Sequence, residues 1–290
     1  MKGLDNLGNT CYFNTALQCL LQVPQLSNFL IIKEYSGDCQ FTKEYQRTVR
    51  SIWLNKEKSS ETPHLLLELF RLRYDQFNNT NQQDSQEAVL CILDILDESL
   101  SPFKRIKYPF ESKKHSLIKD IFYGRTVQET ICKTENSKKF EDTNIHILFP
   151  NKKSDLLDIL RDHQKWNVLE DYKDSKGQEH HVATTRTLMW YPPSVLILSF
   201  KMYDRKSMIT LNDQLNVSEF VHPDSEYKNT TYSLFAMCKH YGSHHGGHYV
   251  AYTKHRGQWF MKNDGFCMKI DEFPKTDYYY LAFFKKNVNI

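Results

Sequence analysis

The apolar residues of this chain keep one period near its start and another near its end, and that division limits the fold to a mixed class. After Thr10, the residues Phe13, Ala16, Leu17, Leu20 and Leu21 recur at i, i+3, i+4, i+7 and i+8, which is one face of a helix ending near Pro24. Val89, Ile92, Leu93, Leu96 and Leu100 repeat the pattern after Asp84, which with Glu87 resembles a capping box, and Pro102 stops this second helix. From about Lys104 to Gly177 the sequence turns polar and charge-rich, with short β-like pieces at 126–132 and 144–149, and reads as a projecting substructure. Later residues form strand-like runs at 194–200, 232–237, 248–252, 259–262 and 278–284, with a turn at 255–257. Helices first and strands later predict an α+β fold. No repeat, low-complexity tract or long linker interrupts it.

Hydrophobic residues make up 40% of the 290 positions and aromatic residues 13%, enough to bury a sizeable core. Lysine and arginine number 38 against 35 acidic residues, and a net charge of +3 gives no support for a nucleic-acid groove. The strongest apolar run, around Val195 to Leu198, is far shorter than the roughly 18 to 20 residues of a membrane span, so a soluble chain without a membrane partner is expected. The opening MKGLDNLGNT lacks the apolar segment and cleavage site of a secretory signal, which predicts an intracellular protein, cytoplasmic or nuclear. The seven cysteines (Cys11, Cys19, Cys39, Cys91, Cys132, Cys238, Cys267) are odd in number and form no CxxC pair, so neither a disulfide framework nor a zinc ribbon is signalled. Most read as small buried hydrophobes.

Cys11 stands at the predicted N-terminus of the first helix, where exposed amides and the helix dipole lower a thiol pKa. The residues before it, Asn6 to Thr10 with Gly8, form a tight turn from which a carboxamide can reach whatever the sulfur attacks. A thiol nucleophile needs a base, and His248, preceded by Gly246 and Gly247, opens the strand HYVAY. The following hairpin returns through Trp259 to Asn263 and Asp264, which brings an amide or carboxylate toward the imidazole. Taken singly, each has an ordinary reading: a helix cysteine, a solvated histidine, an Asn-Asp-Gly turn. Only the combination is specific. His240, His244, His245 and His248 invite a zinc reading, but they lie in a loop and strand start without nearby cysteines, and a solvated loop at the site entrance is preferred.

GLDNLGNTCYFNTALQCLL together with GGHYVAYTKHRGQWFMKNDG resembles the two signature boxes of the ubiquitin-specific proteases. NQQDSQEAVLCILDIL is similar to the Gln-x-Asp-x-Gln-Glu segment between those boxes, and PSVLILSFKMY to the family's leucine, basic, aromatic strand, with Met202 in place of the basic residue. The resemblance runs from Gly3 to Phe284 in family order. It implies one papain-like catalytic domain over 1–290, with a helical thumb over about 1–103, β fingers mostly within 104–193 and a β-rich palm over 194–290. It implies a deubiquitinating thiol isopeptidase, with ubiquitin and ubiquitinated proteins as partners and no cofactor. Cys11 matches the nucleophile, Asn6 the amide that stabilises the oxyanion, His248 the general base, Asn263 the third triad member and Asp264 a second polar residue. Lys262 departs from the usual aromatic before that pair. Gln82, Asp84, Glu87, Gly247 and Tyr249 match positions that bind the ubiquitin tail, although Asp84 and Glu87 also suit helix capping. The family often carries a finger zinc on two CxxC pairs. Here Cys132 keeps one position, while Glu135, Asp174 and Gly177 stand at the others, so no metal is expected and the fingers rest on packing and strand pairing. Two alternatives remain: a catalytically silent ubiquitin-binding module, and a protease for another diglycine-ending ubiquitin-like modifier.

Overall fold

The computed structural model describes residues 1–55, 60–101, 116–150, 154–201, 207–227, 230–243 and 246–287; Pro102, Lys104, Met202, His244 and His245 lie outside the described residues. The chain divides into two compact units, Met1–Ile121 with Phe235–Phe283, and Phe122–Leu234 with Phe284–Ile290. The fold is α+β, and no single helix among the described residues is long and apolar enough to cross a membrane.

The first unit opens with α1 (Cys11–Leu20), all ten residues of which are buried. Sequence periodicity marks only one apolar face, but polar residues on the other faces are buried as well, and two of them donate to the segment before the helix. Asn14 Nδ2 donates to the Leu4 carbonyl at 3.1 Å, and Gln18 Nε2 donates to the Lys2 carbonyl at 3.1 Å. Pro24 both ends this segment and starts α2 (Pro24–Ile32), where a missing N–H costs nothing at the first helical position. Next come α3 (Gln40–Leu54), α4 (His64–Arg73) and α5 (Ser85–Leu100). Asp84 caps α5, its Oδ1 accepting from the Gln86 N–H at 2.7 Å and the Glu87 N–H at 3.4 Å. The Glu87 carboxylate turns outward and accepts from Gln76 Nε2 at 3.0 Å. A short α6 (Leu117–Phe122) leads into the second unit.

There, β1 (Gly124–Ile131) and β2 (Asn136–Thr143) form a hairpin, followed by β3 (His146–Leu148), β4 (Ser154–Asp155), α7 (Leu156–His163), β5 (Asn167–Lys173), β6 (Glu179–Tyr191), β7 (Val195–Phe200), β8 (Ile209–Thr210) and β9 (Gln214–Asn216). β2, β1, β6 and β5 make an antiparallel sheet in that order, with Val127 opposite Phe140 and Leu188 in its two neighbours. β3 runs parallel to β7, pairing His146 with Leu198. Every residue of β7 is buried, and each large side chain there contributes on the order of 2 kcal/mol of burial free energy.

β10 (Thr231–Ser243) carries the chain back to the first unit, where β11 (Gly246–His255), β12 (Gln258–Asn263), β13 (Phe266–Ile270), a short β14 (Thr276–Asp277) and β15 (Tyr279–Lys286) follow. The strands of this unit lie in the order β13, β12, β11, β10, β15. Two tight turns fix its register. Arg256 and Gly257, at φ 48° and 81°, join β11 to β12, and Asp264, at φ 46°, begins the two-residue turn from β12 to β13.

Candidate active site

The loop before α1 is shaped by two successive left-handed residues, Gly8 at φ 96° and Asn9 at φ 50°. It folds around the Asn6 side chain, whose Oδ1 accepts from the Gly8 N–H at 2.9 Å and the Thr10 N–H at 3.2 Å. Both acceptor positions are used inward, so the Nδ2 group is the exposed end. One of its hydrogens goes to Asp264 Oδ2 at 2.8 Å. Asp264 Oδ1 accepts from Asn14 Nδ2 at 2.8 Å, and the Leu4 N–H donates to the Asp264 carbonyl at 2.8 Å. Asp264 thus ties the β12–β13 turn to the loop and first turn of the Cys11 helix. The tie requires Gly3, because a Cβ there would lie 2.2 Å from the Gly265 carbonyl oxygen.

Cys11 occupies the first position of α1 and is 4% exposed. Its thiol pKa is pushed above the ordinary 9.0, chiefly by burial; the N–H of Tyr249 opposes this, the Asp264 charge adds to it, and the N–H groups of Tyr12 and Cys11 itself oppose it. This corrects the expectation from helix position alone. Removing water from the sulfur costs the thiolate more than the helix-terminal amides return.

Lys262 pairs with Ala251 in the β11–β12 ladder, so Asn263, the next residue and the last of its strand, lies on the side of that pair toward His248. His248 Nε2 lies 2.6 Å from Asn263 Oδ1 and 3.9 Å from Asp264 Oδ2. With an amide oxygen as acceptor, Nε2 carries the ring proton and Nδ1 keeps the basic lone pair. The turn separates the two neighbours: Asn263 faces the imidazole and Asp264 faces the Asn6 loop.

The five residues matched to tail binding are engaged within the protein. Gln82 Nε2 donates to the Gly247 carbonyl at 2.6 Å, and the Gly247 N–H donates to Gln82 Oε1 at 2.5 Å. A side-chain amide therefore occupies both backbone groups of Gly247, itself one of the residues matched to tail binding. Gly247 is required here for space, since a Cβ would meet His240 Nε2 at 2.1 Å and the Tyr241 carbonyl oxygen at 2.6 Å. Tyr249 is buried, its ring packed against those of His240 (4.4 Å) and Tyr280 (5.6 Å), which also meet each other at 6.5 Å. The second Asp84 oxygen accepts from the Tyr280 hydroxyl, so this carboxylate serves the helix cap and the sheet together.

Sequence reasoning misses Asn14, Lys262 and Tyr280 as parts of this construction. Asn14 lies one turn beyond Cys11 and shows only as a polar residue inside an apolar run. Lys262 is fully buried and donates to Gln18 Oε1 at 2.5 Å, which joins β12 to α1; burial depresses its pKa to about 8. Its departure from the family aromatic is the one signal that could have marked it.

The sequence pattern of the ubiquitin carboxyl-terminal hydrolase family matches residues 2–284. The chain belongs to that family. Ubiquitin carboxyl-terminal hydrolase 25 of Arabidopsis thaliana is 26% identical over 316 residues, covering 98% of this chain and 47% of the relative. Usp2 of Drosophila melanogaster is 27% identical over 306 residues, covering 90% of this chain and 32% of the relative. The chain thus spans about half or less of the length of these two members of the family. Among solved structures, the SAGA Ubp8/Sgf11/Sus1/Sgf73 DUB module bound to ubiquitin aldehyde has a chain of the same fold, with a TM-score of 0.82, 21% identity and coverage of 99% of this chain and 70% of that one. The same module with a point variant of Ubp8, bound to monoubiquitin, gives a TM-score of 0.83 at 21% identity, covering 99% of this chain and 69% of that one.

Proposed function

We propose that this chain is a deubiquitinating thiol isopeptidase that hydrolyses the bond between the C-terminal glycine of ubiquitin and a lysine amine. The observation that carries the reading is the hydrogen bond that His248 Nε2 donates to Asn263 Oδ1 at 2.6 Å, which leaves Nδ1 to serve a thiol. In the proposed reaction Nδ1 takes the Cys11 proton as the sulfur adds to the glycine carbonyl. The second N–H of Asn6 and the Cys11 amide receive the developing oxyanion. The imidazolium then protonates the leaving amine as the C–N bond breaks, giving a thioester. Water attacks that thioester, and the free carboxylate and the thiol are released.

Asp264 acts as a positioning residue, holding Asn6 by one amide hydrogen while the other stays available. A ubiquitin tail reaching Cys11 exchanges partners with Gln82 and Gly247, taking over the backbone hydrogen bonds that these two now make with each other. Helices α1 to α5 would serve as the thumb, strands β10 to β13 and β15 as the palm, and the β2-β1-β6-β5 sheet as the fingers. The seven free cysteines suit a reducing, intracellular compartment. Ubiquitin is the favoured substrate because solved relatives of the fold carry ubiquitin aldehyde or monoubiquitin.

The test is turnover of a panel of C-terminal conjugates of ubiquitin and its diglycine-ending relatives by the unmodified protein and by Cys11→Ala. Hydrolysis of the ubiquitin conjugate, lost in the variant, supports the reading. Binding of ubiquitin without turnover of any conjugate would make the protein a silent binder, and preference for another modifier would move the substrate.

A further inference from the structure

The second unit holds a cluster that the proposed chemistry does not use. The β1–β2 turn carries Cys132 and Thr134, and the β5–β6 turn carries Asp174 and, just beyond it, His180. One ligand atom from each of Cys132, Asp174 and His180 lies within 4.8 Å of the other two, and this is the one such group among the described residues. Asp174 and His180 have side chains only 1% and 5% exposed, far from the norm for these residue types at a hairpin end. The Thr134 hydroxyl sits among all three, donating to Asp174 Oδ2 at 2.9 Å and lying 3.1 Å from His180 Nε2 and 3.5 Å from Cys132 Sγ.

The finger zinc that the family implies rests on four cysteines, of which this chain keeps one. The donor set present is nonetheless one that a borderline-soft divalent ion accepts: a thiolate, an imidazole and a carboxylate. The carboxylate is already aimed. Asp174 Oδ1 accepts from the Lys176 N–H at 3.0 Å and the Gln178 N–H at 2.9 Å, which leaves Oδ2 directed at His180, 3.1 Å away. The Glu135 carboxylate stays outside the group, accepting from the Ser175 N–H at 3.1 Å and the Ser175 hydroxyl at 2.6 Å, so a water would complete four-coordination. The exposed Thr134 need only rotate outward to vacate the centre.

We propose that Cys132, Asp174 and His180 bind one divalent transition ion of the zinc type and thereby cross-link the β1–β2 and β5–β6 turns. On binding, the Cys132 thiol gives up its proton to solvent and His180 coordinates through a deprotonated Nε2, while Asp174 binds as the carboxylate. The same residue types could suggest a second nucleophile. A thiol triad, however, needs separate imidazole nitrogens for the acid and the thiol, whereas Nε2 here faces Asp174 and Thr134 together and the thiol pairs with Thr134.

The test is titration of the chelator-treated full chain with Co2+, followed by competition with Zn2+. Intense visible bands of a tetrahedral ion, with a near-ultraviolet sulfur-to-cobalt band at one equivalent, are expected, as is their bleaching by Zn2+. Cys132→Ser should remove the sulfur band, and His180→Ala should lower the affinity at least tenfold. Both variants should keep the Cys11 reactivity of the parent. The weak spectrum of hydrated Co2+, or a sulfur band that survives Cys132→Ser, overturns the proposal. Should either variant fail to fold, X-ray absorption of the zinc-loaded parent decides. One sulfur with two or three nitrogen or oxygen neighbours supports the site, and any other sulfur count refutes it.

Discussion

Cys11 combines a helix N-terminus, which favours the thiolate, with near-complete burial, which opposes it, and burial wins. In the proposed reaction Cys11 therefore starts as a protonated thiol, and proton transfer accompanies attack. Since its pKa lies above 9.0, the thiolate fraction is small throughout the neutral range and grows as pH rises. Alkylation of Cys11 by chloroacetamide, followed by peptide mass mapping, should keep accelerating beyond about pH 9, and a plateau by about pH 7 would contradict this. At Asn263, Ala removes the oxygen that fixes the imidazole while Asp preserves an acceptor. Asn263→Ala is expected to lower kcat by about a hundredfold with little change in KM, and Asn263→Asp to stay within about tenfold of the parent. Equal losses in steady-state assays of the two variants would mean that the acceptor oxygen is not what matters.

Between elements, the main ties are polar side chains that serve two structures at once. Asp84 caps α5 and accepts from Tyr280 of β15, so Asp84→Ala should cost about 1 to 3 kcal/mol in chemical denaturation. Asp84→Asn keeps a capping oxygen and should cost less; an Ala variant as stable as the parent would show the cap to be idle. α5 and the core strands are legible in sequence because a clear period coincides with a cap or with turn residues. Phe41, Tyr45, Val49 and Ile52 give α3 its buried face, but interleaved Thr, Gln and charged residues dilute that contrast. The 13-residue strand β6 is harder to read still. Glu179, His181 and Val182 are exposed, so the strand shows little alternation and is fixed by its ladders to β1 and β5. Cys11, His248 and Asn263 fall inside contiguous motifs, which makes them visible. Asn14, Lys262 and Tyr280 owe their place to partners distant in sequence, and the His180 cluster joins two turns about 40 residues apart, as in the pair Thr134 and Asp174.

Over the whole molecule, stability depends on a charge placed in the core of the first unit. Lys262 is buried, and its pKa falls from 10.5 to about 8, so below about pH 8 the folded state carries a protonated amine in a poorly solvating site. The unfolded state binds the proton more tightly. The resulting penalty, about 3 kcal/mol, is full below pH 8 and disappears as pH rises through 10.5. Lys262→Met escapes that titration. Its stability relative to the parent, measured by urea denaturation, should therefore be most favourable near neutral pH and decline by about 3 kcal/mol by about pH 10.5. A difference independent of pH would contradict the assignment. The central claim concerns Cys11, one of seven thiols in a chain that also holds Cys132 beside a histidine and an aspartate. The most direct test is to react the unmodified protein with ubiquitin bearing a C-terminal vinyl electrophile and to locate the adduct by mass spectrometry. A single adduct on Cys11 is the predicted result; an adduct on Cys132 or any other cysteine, or none, would contradict the account.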